Sequence, residues 1–282
     1  MAIKMINVGK TLDFNEIIWV GSTADDSKNF MGRVAEDVSS LCASQNFTFT
    51  KINVSTIKDF ENSLNEIARQ CLVTRGCPLI HLDFHGDMSD GLKINSSEMY
   101  SWSGLRTRLR TINEVTENRL VVFGAACEAM WGIKGISIHE PTPFYLYIAP
   151  ETTITNRELE AAIPEFYKHI LNCGDAMQSF NLASRHVDIT TKLRLFHCER
   201  MAAISIAQYI KSQCMGKGRA DRINYLLDML KPSPSEVSAS RREAKQFLRP
   251  SERLLDTWKI FFHNQTPSFT IADIESLLDD DV

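Results

Sequence analysis

The chain has 282 residues, 44% of them hydrophobic, with 31 Lys and Arg against 35 Asp and Glu for a formal net charge of -4. That apolar content suits a sizeable core and excludes a disordered chain, and without a cationic excess nucleic acid is not an expected direct partner. The opening stretch MAIKMINVGKTLDFNEIIWVG lacks an apolar run closed by a small-residue cleavage site, and nothing later approaches the ~18 apolar residues of a membrane span, so a cytoplasmic protein with no membrane partner is expected. The seven cysteines are odd in number and scattered. They predict neither a disulfide framework nor a CxxC zinc site, and no cofactor is expected.

Taken in order, EIIWVGS (16–22) is a β-rich run closed by turn residues. FMGRVAEDVSSLCAS (30–44) follows as a helix with Val34, Val38 and Leu41 on one face, and FTFTKINV (47–54) alternates as a strand. IKDFENSLNEIARQCLV (57–73) sets Phe60, Leu64, Ile67 and Cys71 at helical spacing, and CPLIHLDFHG (77–86) reads as the next strand. The order β-α-β-α-β predicts a mainly parallel sheet with helices on both faces. Beyond it, DGLKI (90–94) fits a short edge strand and SWSGLRTRLRTI (101–112) a helix capped by Ser101 or Ser103. LVVFGAAC (120–127) is a continuous apolar run suited to a central strand buried on both faces. FYLYIAP (144–150) is a further strand, and TNRE (155–158) has the form of a capping box opening the helix LEAAIPEFYKHILN. From Val187 onward the periodicity predicts helices only, over 193–213, 220–230 and 243–262, with KPSPSEVSAS as a linker and the acidic end ESLLDDDV fraying.

Ligands of open α/β sheets gather at the carboxyl ends of the strands. There, LIHLDFHG ends in His85-Gly86 and LVVFGAAC ends in Cys127, with room between them for one crossover helix that would make the two strands neighbours. An imidazole beside a thiol is what a sulfur nucleophile needs, since the thiolate is the reactive form. Glycine at 86 permits close approach to a substrate, and the backbone N–H groups of Gly86 and Cys127 could donate to a developing oxyanion.

These residues resemble a known family. The order strand-HG then strand-AC is that of caspase-like cysteine peptidases, and more narrowly the chain resembles a CHAT domain, a bacterial caspase-like group that also resembles separase. The resemblance rests on FHGDMSDGLKI, SWSGLRTRLRTI, VVFGAACEAMWG and PETTITNRELEAAIPEFYKHILNCGDAMQSFNLASRH, and spans roughly residues 16 to 186. It implies an α/β caspase-like three-layer sandwich in residues 1–190, followed by a helical C-terminal extension, 191–282. It implies a cysteine endopeptidase in which His85 is the base or imidazolium partner, Cys127 the nucleophile, and Gly86 and Cys127 the oxyanion donors. A protein substrate, an activating sensor or regulatory partner, and a bacterial antiviral or cell-death setting follow from the same resemblance. Two departures stand out: Ala125-Ala126-Cys127 replaces the serine-alanine-cysteine of many relatives, and GIKGISIHEPT lacks the regular helix they place before the next strand.

Other readings compete. Asp83 and His81 share a strand face with His85; Asp83 could orient an imidazole, although local polar partners are the better account of both. Asp87, Asp90 and Glu128 could favour a basic substrate side chain or form a solvated loop. HxDxHGD also suggests a metallohydrolase, yet a catalytic metal needs three protein ligands and no second cluster completes the set, so no metal is expected. A caspase-like fold serving as a silent scaffold is the remaining class.

Overall fold

The structure, a computed structural model, describes residues 12–22 and 28–279. Its centre is a six-stranded sheet of order β2-β1-β3-β7-β8-β9, built from β1 (Glu16–Ser22), β2 (Thr48–Val54), β3 (Pro78–Asp83), β7 (Val121–Ala125), β8 (Leu146–Pro150) and β9 (Leu193–His197). All pairings are parallel except β8 with β9. A second, three-stranded antiparallel sheet comprises β4 (His85–Asp87), β5 (Gly91–Lys93) and β6 (Met99–Tyr100).

Periodicity explains the layers. Helix α1 (Lys28–Ser44) buries Val34, Val38 and Cys42 against one face of the sheet, together with α4 (Asn156–Cys173) and α5 (Ala176–Ser184). On the other face, α2 (Ile57–Thr74) and α3 (Trp102–Val115) bury Phe60, Leu64, Ile67 and Leu105 with Leu109. The caps are those the sequence predicts: Ser101 accepts from Gly104 N–H at the start of α3, and Thr155 with Glu158 forms the capping box of α4, which continues through Pro164. Every residue of β7 and β8 is buried, so these strands are apolar throughout rather than alternating.

Three expectations are corrected. LIHLDFHG is not one strand: β3 ends at Asp83, Phe84 bends, and His85 begins the small sheet, where it pairs with Lys93. Residues 193–197, expected to open a helix, instead form the antiparallel edge strand β9, because Leu193–His197 finds the free edge of β8 and the ladder satisfies both backbones. The sheet therefore extends beyond residue 190. Finally, 243–262 is not one helix but α8 (Val237–Phe247), α9 (Arg253–Asp256) and turns; Pro250 has no N–H to donate and biases its neighbour away from helical backbone.

By contact density the described residues form two units: one runs up to Cys198 and includes Ile260–Gln265, the other comprises 199–259 and 266–279. In the first, Thr142 N–H donates to the Phe261 carbonyl at 2.9 Å, and His263 Nε2 lies 2.7 Å from the Thr142 carbonyl oxygen. The second contains α6 (Cys198–Tyr209) from Glu199 onward, a π-helical turn (Ile210–Cys214), α7 (Gly216–Leu230), α8, α9 and α10 (Ile271–Asp279). Of the acidic tail, Asp280–Val282 fall outside the described residues. Among the described residues no helix is long and apolar enough to cross a membrane.

His81 is part of this core. Register aligns Trp19, His81 and Phe123 across three strands, and the imidazole lies between the two rings, with centroids 3.6 Å from Trp19 and 5.2 Å from Phe123. Its Nδ1 is 3.0 Å from the Tyr167 hydroxyl. Complete burial holds its pKa well below the usual 6.5, so the folded ring stays neutral while the unfolded chain takes up a proton. Stability therefore falls as pH drops below about 6.5, by about 1.4 kcal/mol per pH unit for this one site. His81→Phe should flatten the loss by that slope; urea unfolding at pH 7.5 and 5.5 measures it, and an unchanged slope would contradict the assignment.

Candidate active site

β1 leads to β2 on one side and β3 on the other, so the order of the sheet reverses between β1 and β3, and the carboxyl ends of β3 and β7 lie directly beside that point. The last registered couple of β3 and β7 is Asp83 with Ala125. Cys127 stands two residues beyond it in the turn after β7, and His85 stands two residues beyond Asp83, past the bend at Phe84, where it opens β4. The β7 end faces the layer of α1, α4 and α5: Ala125 belongs to its core, Cys127 packs against it, and Asp83 accepts a hydrogen bond from Nε1 of Trp19, a residue of the same core, at 3.2 Å. Phe84, between the two, goes to the opposite core.

Gly86 explains how the small sheet comes so close to β7. A β-carbon at residue 86 would overlap the carbonyl oxygen of Cys127 and lie 3.2 Å from the Ala126 β-carbon. Only glycine lets these backbones pass. A second tie fixes the register of the loops: Glu128 Oε2 accepts the Met88 N–H at 2.7 Å, and Glu128 N–H donates to the Thr152 carbonyl at 3.1 Å. Glu128 does this in left-handed backbone, φ 56°, which costs a non-glycine residue about 1 to 2 kcal/mol. Strain of this kind persists where the surroundings impose it, and here it sits on the residue after the cysteine.

The cysteines differ in their surroundings. Cys42, Cys71, Cys77, Cys198 and Cys214 are buried, Cys127 is partly exposed and Cys173 is exposed. Burial pushes the Cys42 and Cys71 thiols up to about 11, and that of Cys77 to about 12. Such thiols are inert packing groups. The Cys127 thiol points to the Ile154 carbonyl, with sulfur and oxygen 3.7 Å apart, and His85 is exposed at the opening of β4.

The other sequence candidates have structural duties. Asp87 accepts from the N–H groups of Ser89 and Asp90 at 2.8 and 3.0 Å and shapes its own turn, while its carbonyl accepts the Trp102 indole N–H. Glu128 spans to Met88 as described, and Asp83 holds Trp19. The HxDxHGD segment does not converge: His81 is stacked inside the core and His85 belongs to a different sheet. Among the described residues no three His, Cys, Asp or Glu groups gather as a metal ion would require. The residues not anticipated from the sequence are Thr152 and Ile154, in the loop after β8, which contact the cysteine segment through their carbonyls. Their only sequence signal is position, just past the carboxyl end of the strand beside β7.

No model of a known protein family matches the chain, and no curated protein matches it.

Proposed function

We propose that the α/β unit is a caspase-like, CHAT-type cysteine endopeptidase that cuts a specific protein substrate with His85 and Cys127. The observation that supports this reading is the close approach of Gly86 to the Cys127 carbonyl beside the neighbouring carboxyl ends of β3 and β7, with an exposed histidine and a partly exposed cysteine on the two segments. The mainly parallel sheet with helices on both faces is the scaffold such an enzyme uses.

In the proposed reaction His85 takes the Cys127 thiol proton, and the sulfur attacks the carbonyl carbon of the scissile peptide. The backbone N–H groups of Gly86 and Cys127 stabilise the oxyanion. Collapse breaks the C–N bond, His85 returns the proton to the departing amine, and a thioester remains. Water, deprotonated by His85, then releases the acid and restores the thiol. The contact of the thiol with the Ile154 carbonyl belongs to a resting arrangement, and movement of the loop after β8 would free the sulfur. That fits activation by a sensor or regulatory partner, in the antiviral or cell-death setting the family resemblance suggests.

Alkylation tests the pairing. Brief iodoacetamide treatment at pH 6.5, read by mass spectrometry, should modify Cys127 faster than the more exposed Cys173, and His85→Ala should remove the excess rate. Equal rates at the two cysteines, unaltered by His85→Ala, would refute the dyad.

A further inference from the structure

The helical unit contains a cavity of about 680 Å³ between α7 and α8, and its chemistry is unlike that of the chain as a whole. Four cationic side chains line it, Arg219 from α7 and Arg242, Lys245 and Arg249 from α8 and its end, and no Asp or Glu does. In a protein of formal charge -4 this is a local concentration of positive charge. Among the described residues no ion pair neutralises any of the four. Arg242 and Lys245 lie three residues apart on one face of α8 and Arg249 follows just past its end, and the helix pair is held behind them by its own small core of Ile223, Leu227, Ala244 and Leu248.

Two further features border this space. Arg219 donates from Nη2 to the Lys245 carbonyl at 2.7 Å, bracing the guanidinium across the helix pair. Its Nε–H is buried and meets no acceptor among the described residues, an unpaired donor that costs stability where it lies. The cavity also reaches Gly216, the first residue of the 15-residue helix α7, whose N-cap Met215 offers no side-chain hydrogen bond. The first-turn N–H groups and the positive end of the helix dipole add to the cationic lining.

We propose that this cavity binds a small soluble ligand carrying a di- or triphosphate. Arg forks match phosphate oxygens in pairs, and several adjacent cations are best answered by closely spaced negative charges. The volume lies within the ~300 to 1,000 Å³ of small-molecule sites, so it exceeds what a lone phosphate needs, and Ile223 supplies an apolar wall for the rest of the molecule. The inference does not depend on the peptidase reading.

The test is calorimetric titration of the full chain with inorganic triphosphate and with a nucleoside triphosphate. Saturable one-site binding is expected. The double variant Arg242→Gln/Lys245→Gln, on exposed positions that leave the helix core intact, should weaken it about tenfold or more, and Arg219→Gln should act likewise. Arg241→Gln, whose side chain reaches Asn224 and does not line the cavity, should leave affinity within about twofold, as for an exposed rim contact. Absence of saturable binding, or affinity unchanged in the double variant, overturns the proposal. So does flotation with phosphoinositide vesicles, or binding of a single-stranded oligonucleotide, without a response to free triphosphate, since either would identify a membrane or a nucleic acid as the occupant.

Discussion

Cys127→Ala is expected to reduce peptide-bond cleavage to background, a loss of about 10⁴-fold or more, because a covalent mechanism has no substitute for its nucleophile. His85→Ala should cost nearly as much, and the double variant little more than either, since the two groups act as a unit. Stability should change by less than about 1 kcal/mol, because Cys127 is only partly buried and alanine leaves no polar atom unpaired. New N-termini counted in a proteome incubated with wild type and with variant provide the measurement. Activity retained by Cys127→Ala would remove the peptidase reading, while a fall in thermal midpoint alongside lost activity would attribute the effect to folding.

The second large effect is structural. Gly86→Ala sets a β-carbon against the Cys127 carbonyl oxygen, and because the obstacle is backbone rather than a flexible side chain, β4 or the end of β7 must move. A destabilisation of about 3 kcal/mol is expected, the upper part of the range for overpacking, with loss of whatever activity the site supports. Gly32→Ala is the matched control: a β-carbon there meets nothing within 4 Å on helix α1, so the change should stabilise by up to about 1 kcal/mol through helix propensity. Urea unfolding of both variants separates a positional requirement at Gly86 from a general effect of alanine. Equal stability of Gly86→Ala and wild type would mean that β4 does not press on β7 as described.

Much of the architecture is legible in the sequence because burial periodicity is local. Phe60, Leu64, Ile67 and Cys71 lie on one helical face, and all four are buried in α2. LVVFGAAC has no polar position to expose, and β7 is the central, wholly buried strand it implies. What the pattern hides is a change of partner. Residues 78 to 86 keep an unbroken rhythm although His85 leaves the large sheet for Lys93; pairing is a long-range choice that leaves no local trace. Leu193–His197 misleads for a related reason: it adjoins a true helix, and five residues with apolar and polar positions mixed suit either period.

The candidate site divides in the same way. Chain order and strand ends point to His85, Gly86 and Cys127, and the register brings their segments together. The Glu128 link to Met88 and the covering carbonyls of Thr152 and Ile154 require loops whose path no spacing rule describes. The cationic cavity was hidden by an average: Arg219 and Arg249 lie far apart in the sequence, and a mildly negative total conceals what two helices collect on facing sides.

The Ile260–Gln265 segment governs how the chain can be divided. It belongs with the first unit although 61 residues of the second, Glu199 to Lys259, come before it, so a single scissile point cannot liberate either unit intact. Ending the polypeptide after Cys198 would strip the remaining part of Phe261, Phe262 and the bonds they and His263 frame around Thr142. A nick in the exposed 231–236 stretch would leave each fragment still carrying a portion of the other's architecture.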